Sequence, residues 1–185
     1  MKGNLNLICW NVKGLNHQVK RGKVFTHLKQ LRSGIARGTA ILIDSDVPLE
    51  SSNIISDKNG RFIIVSGKLY NKSDILANVY APNVDDVQFF KRFFSQLPDL
   101  NSHSLVLGGD FNCYIDPLLD RSSPNPATPS RSAGYIKSFL ADYRLSDPYR
   151  FLYPTGREYS FFSHVHHTFS RIDYFFVDNS LIPET

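Results

Sequence analysis

The stretch Leu105-Val106-Leu107-Gly108-Gly109-Asp110-Phe111-Asn112 decides how this chain is read. Its apolar half, closed by two glycines, reads as a buried strand. Side chains at i and i+2 of a strand share a face, so strand geometry predicts that Asp110 and Asn112 leave the strand end together. A carboxylate there can orient a water or hold a cation, and an amide can donate to an anion. Taken alone, the octet reads rather as a plain strand running into a Gly-Gly-Asp turn, since short motifs often match by chance. The other strand ends carry the decision.

Three more apolar runs stop at polar residues. Asn11 follows Ile8-Cys9-Trp10, Tyr80 and Asn83 sit in Asn78-Val79-Tyr80-Ala81-Pro82-Asn83, and Asp173 lies in Ser170-Arg171-Ile172-Asp173-Tyr174-Phe175-Phe176. Strand ends and loops are where a scaffold places its chemistry. Each residue also has a purely structural reading: Asn11 as a turn residue, Asn83 as a helix cap, Tyr80 as a core aromatic, Asp173 as the ion partner of Arg171.

Between these points the pattern alternates strands and helices. Strands are expected at Asn4 to Asn11, Thr39 to Ile43, Arg61 to Ser66, Ile75 to Ala81, Tyr159 to Ser163 and Arg171 to Val177. Helical spacing runs from His17 to Leu31 and from Arg131 to Tyr143. A third helix is expected after Asn83 as N-cap, with Val87, Phe90, Phe94 and Leu97 as its stripe and Pro98 as its stop. Arg32 to Gly38 and the proline-rich Ser122 to Ser130 read as loops. This mixture argues for an α/β arrangement of packed layers.

At 185 residues the chain is expected to form a single domain, residues 1–185, with a substantial core. No apolar stretch approaches membrane-spanning length, and the start lacks the pattern of a secretory signal. Cys9 and Cys113 sit in apolar, strand-like contexts and read as buried free thiols of a reducing, intracellular compartment, nuclear or cytoplasmic. Net charge is +4, but the first 43 residues hold eight cations and no acid, the first carboxylate being Asp44. A segment of one sign suits a polyanion such as DNA, and a solvated helix face fits the same charges as well.

The blocks Cys9-Trp10-Asn11-Val12-Lys13-Gly14, Val79-Tyr80-Ala81-Pro82-Asn83, Gly109-Asp110-Phe111-Asn112, Leu119-Asp120-Arg121-Ser122 and Tyr159-Ser160-Phe161-Phe162-Ser163 through Arg171-Ile172-Asp173-Tyr174 follow one order along nearly the whole chain. In these blocks the sequence resembles the endonuclease/exonuclease/phosphatase superfamily, and within it the endonuclease domain of LINE-type non-LTR retrotransposons, which is similar to apurinic/apyrimidinic endonucleases. The resemblance implies a four-layer α/β sandwich of two packed, mostly antiparallel sheets flanked by helices. It also implies cleavage of one DNA strand to leave a 3′ hydroxyl. A reverse-transcriptase domain of the full-length protein would extend that end, and the nuclease domain itself would act as a monomer.

The same resemblance implies the roles. Asp110 and Asn112 position the attacking water and the phosphorus; Tyr80 and Asn83 contact the scissile phosphate. Asp173 orients a catalytic histidine, Ser160 lines the DNA-binding surface, and Asn11 and Asp110 hold Mg²⁺, with Mn²⁺ as the alternative ion. Phosphodiester hydrolysis needs an in-line water, stabilised non-bridging oxygens and an electrophile for the leaving oxygen, and this set of side chains suits that need.

The chain also departs from the pattern. The family's second strand ends in Gln-Glu-Thr, whose glutamate holds the metal, and its last strand carries Ser-Asp-His. Here the glutamates are Glu50, Glu158 and Glu184, none in that context, and no Ser-Asp-His occurs. The expectation is therefore an internally deleted, shortened domain with severely reduced or absent nuclease activity. Its alternative is a catalytically dead nucleic-acid-binding remnant. A phosphoesterase acting on lipid or inositol phosphates is disfavoured by the close matches at Asp120-Arg121-Ser122 and Tyr159 to Tyr174. Asp44 or Asp46 could stand in for the missing ligand. His164, His166 and His167 lack the further ligands a zinc site demands.

Overall fold

The computed structural model describes residues 31–36, 39–44, 46–123 and 128–182. Asn11, Cys9, the expected strand at Asn4 to Asn11 and nearly all of the expected helix from His17 lie outside the described residues, as does most of the basic first third.

The chain is α/β, as its pattern implied. Its centre is a six-stranded sheet in the order β3 (Leu49–Ser56), β4 (Phe62–Leu69), β5 (Lys72–Tyr80), β6 (Ser104–Asp110), β10 (Asp173–Asp178) and β7 (Leu145–Ser146). All neighbours are antiparallel except β5 and β6. A parallel pair needs a crossover, and helix α1 (Val87–Phe94) lies within it. Helices α2 (Arg131–Asp142) and α3 (Pro148–Leu152) follow β6 and β7. Two hairpins, β1 (Leu31–Ala36) with β2 (Thr39–Asp44) and β8 (Phe161–Ser163) with β9 (Thr168–Ser170), and a short 3-10 turn at Asn179–Leu181 complete the described elements. No helix among the described residues is long and apolar enough to cross a membrane.

Strand alternation splits the central sheet into two faces. Ile75, Ala77, Val79, Leu105, Leu107, Tyr174 and Phe176 face one side. They pack with Phe89, Phe90, Phe93 and Phe94 of α1 and Ile136 and Phe139 of α2. Aromatic rings dominate this layer; Phe111 is stacked on Phe90 and edge-on to Phe176. The opposite face is smaller. Leu76, Val106 and Val177 pack there against Ile41 and Ile43 of β2, with Phe175 and Ile182 at the margin. The described residues thus build three layers: helices, sheet and hairpin.

Three local expectations need correction. Arg32 to Gly38 reads as a loop, but Leu31–Ala36 is a strand paired from Leu31 opposite Asp44 to Ala36 opposite Thr39. Ser, Gly and Ala have low strand preference, and a β-rich partner overrides it. Asn83 is not the cap of α1; Asp86 is, its carboxylate accepting from the Phe89 N–H at 2.9 Å. Neighbouring Asp85 reaches across to α2, accepting from the N–H groups of Arg131 at 3.0 Å and Ser132 at 2.9 Å. Cys113 lies in bends after β6, not in a strand; burial first, then the charges of Asp85, Asp110 and Asp120, push its thiol up to about 12.

Asp74 is the misfit of the smaller face. It is buried on β5, and burial raises its carboxyl above the ordinary range against the opposing pull of Lys72 and His103. A carboxyl that resists ionisation when folded binds protons more tightly folded than unfolded. Stability then falls as pH rises from the unfolded value through the raised folded one. Asp74→Asn should therefore melt higher than the parent at neutral pH, with the gain vanishing under acid conditions below the unfolded carboxylate value. Parallel melts at pH 7 and pH 3 read this directly.

Candidate active site

The ends of three neighbouring strands meet at one edge of the smaller face. Tyr80 closes β5, Asp110 closes β6 and Asp173 opens β10. Tyr80 is the register partner of Asp110, and Asp110 is the register partner of Asp173. Registered residues in a sheet share a face, so phenol, carboxylate and carboxylate stand side by side. The Phe111 N–H donates to the Ile172 carbonyl at 2.8 Å, directly beside the Asp110–Asp173 pair. That bond makes the two acids a non-hydrogen-bonded pair, the arrangement in which opposing side chains stand closest.

Asn112 reaches this cluster by a route other than strand alternation. The strand stops at Asp110, and Asn112 has φ +49°, a left-handed conformation that asparagine tolerates. Its N–H donates to Asp110 Oδ1 at 2.9 Å, and its amide Nδ2 donates to the Ala81 carbonyl at 2.7 Å. The Ala81 N–H in turn donates to the Asp110 carbonyl at 2.8 Å. The end of β5 and the turn after β6 are thereby stitched into one rigid edge.

Gly109 makes the stitching possible. It has φ +141°, and a Cβ there would sit 2.0 Å from the Val79 carbonyl oxygen and 2.9 Å from Asn78 Oδ1. Backbone strain of this kind costs about 1–3 kcal/mol, before the contact with Val79 is relieved. Gly109→Ala should therefore lose at least about 2 kcal/mol in a urea melt and disorder the Asp110–Asn112 turn.

Asp173 is half-buried, and burial raises its carboxyl above the ordinary range; a hydrogen bond from the Ser160 hydroxyl opposes this. The same hydroxyl accepts from the N–H groups of Ile172 at 3.1 Å and Asp173 at 3.2 Å. Ser160, expected on the DNA-binding surface, is exposed, and its hydroxyl also fixes the start of β10. Two acids opposite one another on adjacent strands destabilise a sheet unless something positive lies between them. Their hard oxygen donors fit Mg²⁺, which takes one or two protein carboxylates and completes its shell with water. Among the described residues no set of three carboxylate, histidine or cysteine side chains could hold a metal.

Behind the edge lies a buried ionic cluster that the sequence reading touched only as a motif. Asp120 is 0% exposed. Its Oδ1 accepts from Arg150 Nη2 at 2.7 Å and Arg171 Nε at 2.9 Å, and its Oδ2 from the Asp116 N–H at 2.8 Å and the Tyr174 hydroxyl at 3.1 Å. Arg171 Nη2 donates to Asp147 Oδ2 at 2.6 Å, and the guanidinium stacks over Tyr149 and Tyr174. Burial works against that charge, yet its bonds to Asp147 and Asp120 hold Arg171 above its ordinary value. Burial likewise pushes the Tyr174 phenol up, so it stays a donor. Asp173 is therefore not the partner of Arg171; that pairing is contradicted.

The remaining candidates fall as follows. Asn83 is exposed in the segment after Tyr80. Asp44 closes β2, which enters beside Asn78, whose amide donates to the Ala40 carbonyl at 2.8 Å, then runs toward Leu76 and Val106 and away from the cluster. One residue was missed. Arg61 lies over the Tyr80 ring with its guanidinium 5.0 Å from the centroid, brought there by the Tyr80 N–H bonding the Arg61 carbonyl at 2.7 Å. A lone arginine opening a strand of Phe62-Ile63-Ile64-Val65 was the signal.

Comparison with known proteins supplies the family. The model of the endonuclease/exonuclease/phosphatase family matches residues 19–185. The chain belongs to that family. The family fold recurs in solved structures of low sequence identity. An AP endonuclease from Leishmania major is 15% identical with a TM-score of 0.58, the match covering 83% of this chain and 63% of that one. The endonuclease domain of TRAS1, a telomere-specific non-LTR retrotransposon, is 15% identical with a TM-score of 0.51, covering 82% and 68%. Humanized D. rerio TDP2 is 10% identical with a TM-score of 0.55, covering 89% and 68%. The chain thus spans less than two thirds of the Leishmania enzyme's length.

Proposed function

We propose that this chain is a divalent-metal-dependent DNA endonuclease domain of retrotransposon origin that nicks one strand and leaves a 3′ hydroxyl. The observation that carries the reading is the register of Tyr80, Asp110 and Asp173 across three adjacent strand ends. Family membership, the retrotransposon endonuclease among the structural neighbours and the acid-free basic first 43 residues support it.

In this reading Asp110 orients the attacking water and takes up its proton. Asn112, whose amide is already aimed by the Ala81 carbonyl, and Tyr80 meet the non-bridging oxygens without adding negative charge beside an anion. Exposed Asn83 contacts the same scissile phosphate. Asp110 and Asp173, with Asn11 as the further ligand, would hold Mg²⁺ or Mn²⁺. When bound, that ion neutralises charge developing on the phosphoryl and leaving oxygens. A reverse-transcriptase domain of the parent protein would use the 3′ end. With only two carboxylates at the site among the described residues, the rate is expected to fall well below that of a site with a third.

That same donor count favours the second reading, a fold that holds DNA without cutting it. One experiment separates them. Supercoiled plasmid is incubated with the protein in Mg²⁺ or in EDTA, and binding is read by gel shift at rising salt. Metal-dependent relaxed circles support the nuclease. A salt-sensitive shift with no relaxed circles leaves only the binding module.

A further inference from the structure

The chain holds two Ser/Thr-Pro dipeptides, Ser123-Pro124 and Thr128-Pro129, both in the proline-rich loop before α2. Only the second is followed by a cation at the third position: Thr128-Pro129-Ser130-Arg131, against Pro126 for the first. Thr128 and Pro129 are exposed, Ser130 is extended at φ −66° and ψ 155°, and the Arg131 side chain is 85% exposed. Proline removes an N–H and holds the residue before it extended. An exposed hydroxyl on an extended chain, a missing N–H after it and a projecting guanidinium form the pattern that proline-directed Ser/Thr kinases read.

We propose that Thr128 is a phosphorylation site for such a kinase and that the phosphate weakens the chain's hold on DNA. The γ-phosphoryl group of ATP forms a P–O bond with Thr128 Oγ1, the bond to the β-phosphate oxygen breaks, ADP leaves, and the hydroxyl proton passes to the kinase's base. The product carries about −1.5 to −2 of added charge.

Little at the start of α2 is free to meet that charge. The N-terminal N–H groups of α2 that would otherwise attract a phosphate are already taken: Arg131 and Ser132 by Asp85, Ala133 by the Ser130 hydroxyl at 3.0 Å. Arg131 could answer it, but its Nε is shared with Asp85 at 3.9 Å. The Asp85 bonds also pin this stretch to the segment that follows Tyr80 and carries Asn83. The added anion is therefore tethered three residues from a stretch joined to the proposed phosphate-binding edge; this second half rests on the proposed function, whereas the modification does not.

The test uses the full chain, a purified proline-directed kinase and labelled ATP, with the site mapped by mass spectrometry. Label is expected on Thr128, absent from Thr128→Ala, and strongly reduced in Pro129→Ala and Arg131→Ala, with Ser123 modified more slowly. Label confined to Ser123, or undiminished in Thr128→Ala, overturns the assignment. Gel shifts on duplex DNA then compare modified and unmodified chain. A loss of about tenfold in affinity at low salt, narrowing as salt rises, is expected. Equal affinities overturn the regulatory half. If the unmodified chain binds no DNA, the proposed function fails while the modification site stands.

Discussion

Asp110→Asn should leave the fold intact and remove metal-dependent nicking, lowering the rate by about 10²- to 10⁴-fold, the scale of losing a positioned acid–base group. The substitution keeps the side chain's shape. Its Oδ1 can still accept from the Asn112 N–H, now 2.9 Å away, so the turn that aims Asn112 has no reason to open. What disappears is charge. An amide cannot take a proton from water, and it weakens any cation held between positions 110 and 173. The same change should raise the melting temperature slightly, because it removes one of two acids facing each other across a strand pair. That combination, lower rate with higher stability, marks a group kept for chemistry at the expense of the fold. Plasmid nicking followed in parallel with a thermal melt reads both. Unchanged nicking would remove Asp110 from the mechanism, and a lower melting point would show that the carboxylate serves the fold.

The strand ends that build this edge were legible because each is an apolar run bounded by a polar residue. Tyr80 and Asp110 halt their runs; Asp173 instead opens its strand, ahead of Tyr174-Phe175-Phe176-Val177, and register brings it beside them. Asn112 stands next to Asp110 not through period-two alternation but through a left-handed turn after the strand, tied down by the Ala81 carbonyl. Strand β3 was missed because Leu49–Ser56 is an edge strand, exposed along most of its length, and an exposed edge needs no apolar alternation. Helix α1 was expected to bury Val87, Phe90, Phe94 and Leu97. Phe90 and Phe94 are buried and Leu97 packs against the core as expected; Phe89 and Phe93 join them while Val87 stays half-buried, so the buried face is broader than the stripe. Asp120 and Ser160 stood in the recognised blocks, but their roles depend on partners 12 to 51 residues away. Ser160 bonds the start of β10, and Asp120 bonds Arg150 and Arg171. No local pattern carries that information.

Asp120→Ala is expected to cost about 3–5 kcal/mol, the scale for breaking a buried ion pair by removing one partner. The reason is the state in which it leaves Arg171. That guanidinium is 7% exposed and keeps only Asp147, while Arg150 loses its one carboxylate. Arg150 also donates to the carbonyls of Tyr153, Pro154 and Gly156, so the loop leading to Ser160 loosens with it. For a domain of this size each kcal/mol moves the melting temperature by about 2–4 °C, so a fall on the order of 10 °C or more is expected. Nicking should fall too, since Asp173 opens the strand that Arg171 anchors. The alternative account is lost packing alone, and a paired substitution distinguishes it. Asp120→Leu combined with Arg171→Met removes both charges and fills the space, and buried ion pairs replaced this way often recover or exceed the parent's stability. If the double variant melts well above Asp120→Ala, the penalty lies in the stranded charge. If both melt equally low, the hydrogen bonds of Asp120 to the Asp116 N–H and the Tyr174 hydroxyl carry the stability instead.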